Sequence, residues 1–459
     1  MKLWNYIKEY MLRHPHQTIG EGNSRISYGE LVSYAHSFAQ KLEGVECAAI
    51  LCSSEMACAM ALLSCFAAET TAVPMSVRYG EAHCKNILKT ISPTAVISDA
   101  DGELDVRYLP ENTYRTPPAH PALIMCTSGT TGMPKGVMLS EKNILTNLRD
   151  VSAYLNIDDT DTILISRPIY HCAVLTGEFL VSLVKGAKIR FYSEQFNACR
   201  ILKLIERERI TVFCSTPTVF SVLSRISDMY DVSSLKVICI SGECMSADTG
   251  KRIARAFKGV EIYHVYGLTE ACPRVSYLSP ELFPSYPSSV GVPLASVTAK
   301  VVAEDGDEAS ANEDGMLWIR GDNIMLGYYN APEQTKRVLR DGWLCTGDTA
   351  YRDKLGLLYI KGRSDGMIIR AGMNIYPQEI ESALKADERV REVLVYGRKS
   401  ESEGQQICMK IAGDFADIAE VKSMCFKLLP KYTVPTYIEL VDSIPKNGSG
   451  KIIRGGNNA

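Results

Sequence analysis

The sequence predicts an α/β protein: a large N-terminal domain with mostly parallel sheets flanked by helices plus a β-rich subdomain, and a small mobile α+β C-terminal domain. Three observations carry this. Between residues 122 and 270, short apolar runs alternate with segments of helical period, as expected for helices packed on a mostly parallel sheet. From about residue 295 the pattern changes to short strands separated by Asp305-Gly306, Asp314-Gly315 and Asp341-Gly342 turns. After the polar run Gly362-Arg363-Ser364-Asp365-Gly366 comes a compact α+β tail, large enough to be a domain of its own. The expected division is 1–362, with the β-rich subdomain at about 295–362, a hinge at 363–366, and 367–459.

Taken in order, residues 1–11 mix Leu3, Trp4, Tyr6, Ile7, Tyr10 and Met11 with Lys2, Lys8 and Glu9, which predicts an amphipathic helix and not a secretion signal. Ser27 is placed to cap a helix over 28–42, and 47–52 is strand-like. The longest apolar stretch, 56–68, is too short to span a bilayer and predicts a core helix. Residues 123–126 form a short strand, a Gly/Thr/Ser loop follows, and Ser140 caps a helix whose Ile144, Leu145, Leu148, Val151 and Leu155 keep helical spacing. Strands at 162–166, 187–192, 211–214, 236–240 and 261–265 then alternate with helices at 177–184, 198–207, 218–225 and 247–257. The β-rich part has strands at 299–303, 315–320, 343–345 and 357–361. The tail has strands at 367–370, 391–396, 406–411 and 436–441 and helices at 378–385 and 417–429.

Composition excludes several classes of function. With 46% hydrophobic and 22% charged residues the chain is ordinary for a soluble globular protein. A net charge of −3 gives neither a nucleic-acid footprint nor a basic membrane-binding face. The 15 cysteines are odd in number, scattered, and without a CxxC pair, so they read as reduced, mostly buried thiols of a cytoplasmic protein.

Polar segments follow four of the expected strands: 127–136, 167–171, 241–243 and 266–270. Open α/β sheets bind ligands at the carboxyl ends of their strands, so these segments are expected to meet in one crevice. The most informative is Thr127-Ser128-Gly129-Thr130-Thr131-Gly132-Met133-Pro134-Lys135-Gly136. Its glycines allow close backbone approach, its N–H and hydroxyl groups can surround phosphate oxygens, and Lys135 adds charge. It lacks the GxxxxGK[ST] spacing, and a solvated hydroxyl-rich loop would have the same composition.

This segment resembles the signature loop of the adenylate-forming superfamily, which holds acyl-CoA synthetases, peptide-synthetase adenylation domains and beetle luciferases. Four further segments match in that family's order: Tyr266-Gly267-Leu268-Thr269-Glu270, Thr346-Gly347-Asp348, Gly362-Arg363-Ser364-Asp365 with 372–381, and Pro445-Lys446-Asn447-Gly448-Ser449-Gly450-Lys451. The resemblance implies activation of a carboxylic acid, fatty or aryl, by ATP as acyl-AMP with release of pyrophosphate. Transfer to a thiol follows, that of CoA or of a carrier protein's phosphopantetheine. It implies that Thr127, Ser128, Gly129, Thr130, Thr131, Gly132 and Lys135 cradle the β- and γ-phosphates, and that Glu270 holds Mg²⁺. Thr269 would donate to the α-phosphate, and Tyr266, beside Gly267, would stack near adenine with Gly242 and Glu243 lining the base. Asp348 would accept the ribose hydroxyls with Arg363 beside it, and Lys451 would bridge the α-phosphate and acyl oxygens. Asp365 would serve as the hinge, and Gly372 would border the thiol tunnel.

Arg167-Pro168-Ile169-Tyr170-His171 resembles the Pro-x-aromatic-His segment of acyl- and aryl-CoA ligases, placing His171 where acid meets thiol. Amino-acid-activating relatives carry an Asp soon after the aromatic residue. Here Cys172-Ala173-Val174-Leu175 follows, which favours a fatty or aryl acid. The charge balance and the short apolar runs predict no nucleic-acid partner and no membrane span. A stand-alone acyl-AMP ligase serving a carrier protein is the first alternative, and an idle nucleotide-binding protein the second. An idle relative would be expected to lose Lys451, Glu270 or Asp348, and all three are kept. The family pattern is departed from in three places: a short region before Thr127, Ala68-Glu69-Thr70 where relatives have a Gly-containing turn, and Arg370-Ala371 in place of Lys-Gly.

Overall fold

A computed structural model describes every residue except 1, 78–80, 101, 129–133, 371–372, 401–403, 447–451 and 453–459; the side chains of 81–83, 128, 134, 365, 369, 373–374, 399–400 and 404 are also left aside. Helices begin where the sequence supplies an acceptor for the orphan amide groups of a first turn. Ser27 and Ser140 close capping boxes with Glu30 and Asn143, and Asn197 caps Ala198–Glu208. The amphipathic first helix, Leu3–Arg13, buries Leu3, Trp4, Ile7 and Met11. Glu55–Ala68 is the expected core helix and ends on Glu69 at φ 58°, a left-handed cap held by a residue other than the glycine of relatives.

One expectation needs correction. The N-terminal domain is built on two sheets, and the strand before the Gly/Thr/Ser loop is not in the sheet that carries the other three polar segments. A nine-stranded sheet runs Val292–Pro293, Arg274–Leu278, Glu261–Gly267, Val237–Ser241, Val212–Ser215, Thr162–Ile165, Lys188–Phe191, Thr18–Glu21, Ser24–Ser27. Its centre is parallel and its ends are antiparallel. The seven-stranded sheet runs Gly327–Tyr328, Pro134–Leu139, Leu123–Ser128, Thr71–Pro74, Cys47–Ile50, Ala95–Ala100, Glu103–Tyr108. The loop after Leu123–Ser128 leads not to a helix but back along an antiparallel strand, Pro134–Leu139, with Thr127 opposite Lys135.

Two further differences touch the site. The helix expected at 177–184 begins earlier, at Cys172, and runs to Lys185 with a widened turn over Leu175–Leu180. The strand expected at 343–345 extends over Trp343–Arg352, so Asp348 is a strand residue. It belongs to a five-stranded antiparallel sheet with Val297–Val302, Gly315–Gly321, Leu339–Arg340 and Leu358–Arg363. A fourth sheet, built from strands between Ile368 and Leu440, forms its own apolar core with helices Pro377–Leu384 and Ile418–Leu428.

All fifteen cysteines are free and most are buried. Among the described residues no helix is long and apolar enough to cross a membrane.

Burial has a pH consequence at His264, on the strand Glu261–Gly267. Its Nδ1 lies 3.2 Å from the Pro287 carbonyl oxygen, and desolvation pushes its pKa from 6.5 down to about 4. Between those values the unfolded chain binds the proton and the folded chain does not. Stability is therefore expected to fall as pH drops through this window, by about 1.4 kcal/mol per unit for one group. Thermal midpoints at pH 7 and pH 5 check this: the difference should shrink in His264→Gln. An unchanged difference would assign the acid sensitivity to other groups.

Candidate active site

The crevice is assembled from strand ends of three sheets, and specific side chains stitch them together. The Tyr266-to-Glu270 segment leaves the strand Glu261–Gly267 and folds back onto Arg274–Leu278. Gly267 permits this turn: a Cβ there would stand 2.0 Å from the Pro273 carbonyl oxygen. Leu268 N–H donates to that same oxygen at 2.9 Å, and the short helix Thr269–Ala271 follows. Glu270 thereby faces the end of the seven-stranded sheet. Tyr328, from that sheet's edge strand, donates its hydroxyl to Glu270 Oε1 at 2.9 Å, and Lys135 Nζ lies 5.3 Å from the centre of the Tyr328 ring. Backbone bonds reinforce the junction, Met325 N–H to the Glu270 carbonyl and Tyr329 N–H to the Gly136 carbonyl. The exit strand of the Gly/Thr/Ser loop and the Glu270 turn are thus held side by side although they belong to different sheets.

A second seam joins the nine-stranded sheet to the five-stranded one. Asp348 is buried and opposite Arg363 in strand register. Arg363 Nη1 lies 3.8 Å from Asp348 Oδ1 and donates to the Thr346 carbonyl at 2.8 Å. Between them Gly347 sits at φ 74°, and a Cβ there would come within 2.8 Å of Arg363 Nη2, so no other residue fits without displacing the guanidinium. The Tyr266 hydroxyl donates to Asp348 Oδ2. Burial first, and then the Asp348 charge, push that hydroxyl's pKa well up, so Tyr266 remains a donor and Asp348 the acceptor.

On the other side, Glu243 follows Gly242 at the end of Val237–Ser241. It accepts from Thr218 Oγ1 at 2.5 Å, and Thr218 accepts in turn from Lys385 Nζ of the C-terminal domain at 3.0 Å. Arg167 donates to Ser241 Oγ at 3.3 Å through both terminal nitrogens and pairs with Glu178. His171 precedes the Cys172–Val174 turn, its ring 4.6 Å from that of Tyr170.

The structure thus brings together Thr127, Lys135, Tyr266, Gly267, Thr269, Glu270, Asp348 and Arg363; Gly242 and Glu243 follow the end of Val237–Ser241, and His171 caps the helical run that begins at Cys172. Gly129, Thr130, Thr131, Gly132, Gly372 and Lys451 lie outside the described residues, as do the side chains of Ser128 and Asp365. Lys446 and Ile452 pair across the segment that holds Lys451. Tyr328 was not legible in the sequence, where Gly327-Tyr328-Tyr329-Asn330 looks like a turn.

Among the described residues no group of three or more His, Cys, Asp or Glu stands together as a metal cage. One oriented carboxylate, Glu270, suits Mg²⁺, which keeps its waters and takes its remaining ligands from phosphate oxygens.

The family description "AMP-binding enzyme" matches residues 7–329, and "AMP-binding enzyme C-terminal domain" matches residues 379–451. The chain belongs to the AMP-binding enzyme family. Among curated relatives, this AMP-binding enzyme is 34% identical over 341 residues to a long-chain-fatty-acid–CoA ligase of Bacillus subtilis, covering 72% of this chain and 60% of that one. It is 32% identical over 339 residues to a feruloyl-CoA synthase of an Amycolatopsis species, covering 72% and 68%. The chain spans 60% and 56% of the lengths of the first two curated relatives it matches. Among solved structures, the o-succinylbenzoate CoA synthetase of Bacillus subtilis in complex with its acyl-adenylate intermediate superposes with a TM-score of 0.85 at 25% identity, over 98% of this chain and 97% of that one. The same synthetase with ATP and a magnesium ion gives 0.83 at 26% identity, over 98% of each chain. The mixed α/β architecture with a smaller C-terminal domain is the adenylate-forming fold.

Proposed function

We propose that this chain activates a carboxylic acid, fatty or aryl, with ATP. A carboxylate oxygen attacks the α-phosphorus, the bond to pyrophosphate breaks, and the acyl-AMP formed then passes its acyl group to a thiol, that of CoA in the first instance. The observation that carries this reading is the joined seam Lys135–Tyr328–Glu270 and Tyr266–Asp348–Arg363. It sets a cation and an oriented carboxylate beside the Gly/Thr/Ser loop, and a buried carboxylate acceptor a short way off. A nucleoside triphosphate needs this arrangement: charge at the phosphates and an acceptor for ribose hydroxyls. In this reading residues 127–135 cradle the β- and γ-phosphates, Thr269 donates to the α-phosphate, and Gly242 and Glu243 line the base. Asp348 takes the ribose, and Tyr266 keeps one ring face for adenine while its hydroxyl fixes Asp348. Mg²⁺, held by Glu270, would neutralise charge on the phosphates. Lys451 reaches in from the C-terminal domain, Asp365 lies at the hinge, and Gly372 borders the path of the thiol.

The acid pocket bears on the choice between simple acids and amino acids. A carboxylate does stand beyond His171, but Glu178 is engaged by Arg167, so it does not offer a counter-charge to an α-ammonium group. Pyrophosphate release across a panel of acids, repeated with CoA and with holo carrier protein, tests the function. Fatty or aryl acids are expected to drive release and proteinogenic amino acids are not; release with amino acids alone would contradict the reading. Thioester formation with holo carrier protein and none with CoA would move the acceptor to the carrier.

A further inference from the structure

One charge in the interior is left over by the site described so far. Arg274 opens the strand Arg274–Leu278, four residues after Glu270, and is 3% exposed. Its backbone is tied down: the N–H donates to Asn147 Oδ1, and the carbonyl accepts from Asn147 and Asn323. Its guanidinium is held far less. Nε is buried with no hydrogen-bond partner, and among the described residues no carboxylate makes an ion pair with it. Gly177 makes room for it, since a Cβ there would fall 2.8 Å from Arg274 Nη2.

Burial disfavours this charge, while Tyr154, Cys239, Cys214 and Glu178 around it favour it; of these only Glu178 is a carboxylate. Glu178, one residue beyond Gly177, is fully buried, and its field reaches Arg274, but its ion-pair partner is Arg167. Burial raises the Glu178 pKa and Arg167 pulls it back. Arg167 also bonds Ser241 and has its own Nε buried without a partner. Two guanidinium groups therefore share one carboxylate, and arginine does not deprotonate in proteins. A buried ion without a carboxylate of its own is costly to hold, and a counter-charge that arrives with a ligand relieves that cost. Each member of the cluster is also chained to the crevice: Arg167 lies four residues before His171, Glu178 follows on the same helical run, Ser241 adjoins Gly242, and Arg274 follows Glu270.

We infer that Arg274 binds a second anionic group of the substrate acid, making the preferred substrate a dicarboxylic acid, aliphatic or aryl, whose far carboxylate meets the guanidinium that packs against Gly177. This rests on the acid-activating function proposed above. A neutral acceptor would satisfy hydrogen bonds but leave the surplus charge in place, and an ammonium group would be repelled. A carboxylate does both jobs, and the planar guanidinium suits it in a bidentate pair.

Length-matched acids test this in the full chain: octanoic against octanedioic acid and its monomethyl ester, and benzoic against the three benzenedicarboxylic acids, each by kcat/KM for pyrophosphate release. A dicarboxylic acid is expected to exceed its monocarboxylic and ester counterparts by at least about tenfold, the scale of one charged hydrogen bond. Arg274→Met should erase that preference, and Arg274→Lys should keep part of it. Should Arg274→Met fail to fold, Gly177→Ala displaces the guanidinium without deleting it and should narrow the same ratio. Equal or better turnover of octanoic and benzoic acid, or a ratio unchanged in these variants, overturns the inference and leaves the acid-activating function standing. No pyrophosphate release with any acid in either set overturns both.

Discussion

Lys451→Ala is expected to lose acyl-adenylate formation by about 10²–10³-fold, the scale of one oxyanion donor, while still converting supplied acyl-AMP to thioester at a near-normal rate. Adenylation builds negative charge between the carboxylate and the α-phosphate, and a positioned ammonium lowers that barrier. Thiol attack on acyl-AMP needs no such clamp. The lysine ends an Asn447-Gly448-Ser449-Gly450 run far in sequence from the Asp348 seam, and in the proposed reading it would act only when the C-terminal domain covers the crevice. Asp365→Pro constrains φ in the turn Ser364–Gly366, between the third and fourth sheets, and is expected to bias the two half-reactions the other way. Single-turnover rates of each half-reaction measure this. Equal damage to both steps in Lys451→Ala would mean that the C-terminal domain does not alternate between two roles.

Glu270→Gln is expected to lower turnover by about one to three decades and to move the Mg²⁺ dependence to higher concentration. The side chain keeps its shape and can still accept from Tyr328, so the loss reports charge and not packing. Tyr328→Phe removes one orienting hydrogen bond and should cost much less, about 1 kcal/mol or several-fold. Pyrophosphate release against Mg²⁺ concentration in both variants checks the pair. Unchanged turnover and metal dependence in Glu270→Gln would make it a structural residue.

What the sequence showed of this protein follows from how local each signal is. Caps are local, and Ser27 and Ser140 each start the helix they predict. The division into two sheets is not local. Leu123–Ser128 has the same apolar texture as the strands of the nine-stranded sheet, and nothing within it says which neighbours it pairs with. Pro134–Leu139 was hidden because Pro134 and Gly136 sit at its start and read as loop residues. The strand expected at 343–345 was cut short for a related reason: Gly347 does adopt a left-handed conformation, but inside the strand, where it clears space for Arg363. Site residues set within a polar motif, such as Glu270 and Lys135, were legible. Tyr328, placed by tertiary contact alone, was not, because its partners Glu270 and Lys135 are distant in sequence.

The most direct test of the central claim follows an oxygen atom. With an acid whose carboxylate is labelled with ¹⁸O, attack on the α-phosphorus leaves one carboxylate oxygen bonded to phosphorus, and thiol capture of the acyl group then releases AMP carrying that oxygen. Mass spectrometry of the products, with the best acid of the panel, ATP, Mg²⁺ and CoA, is predicted to show singly labelled AMP, unlabelled pyrophosphate, and a thioester that keeps the other labelled oxygen in its carbonyl. ADP together with labelled inorganic phosphate would place the attack at the γ-phosphorus and contradict the account.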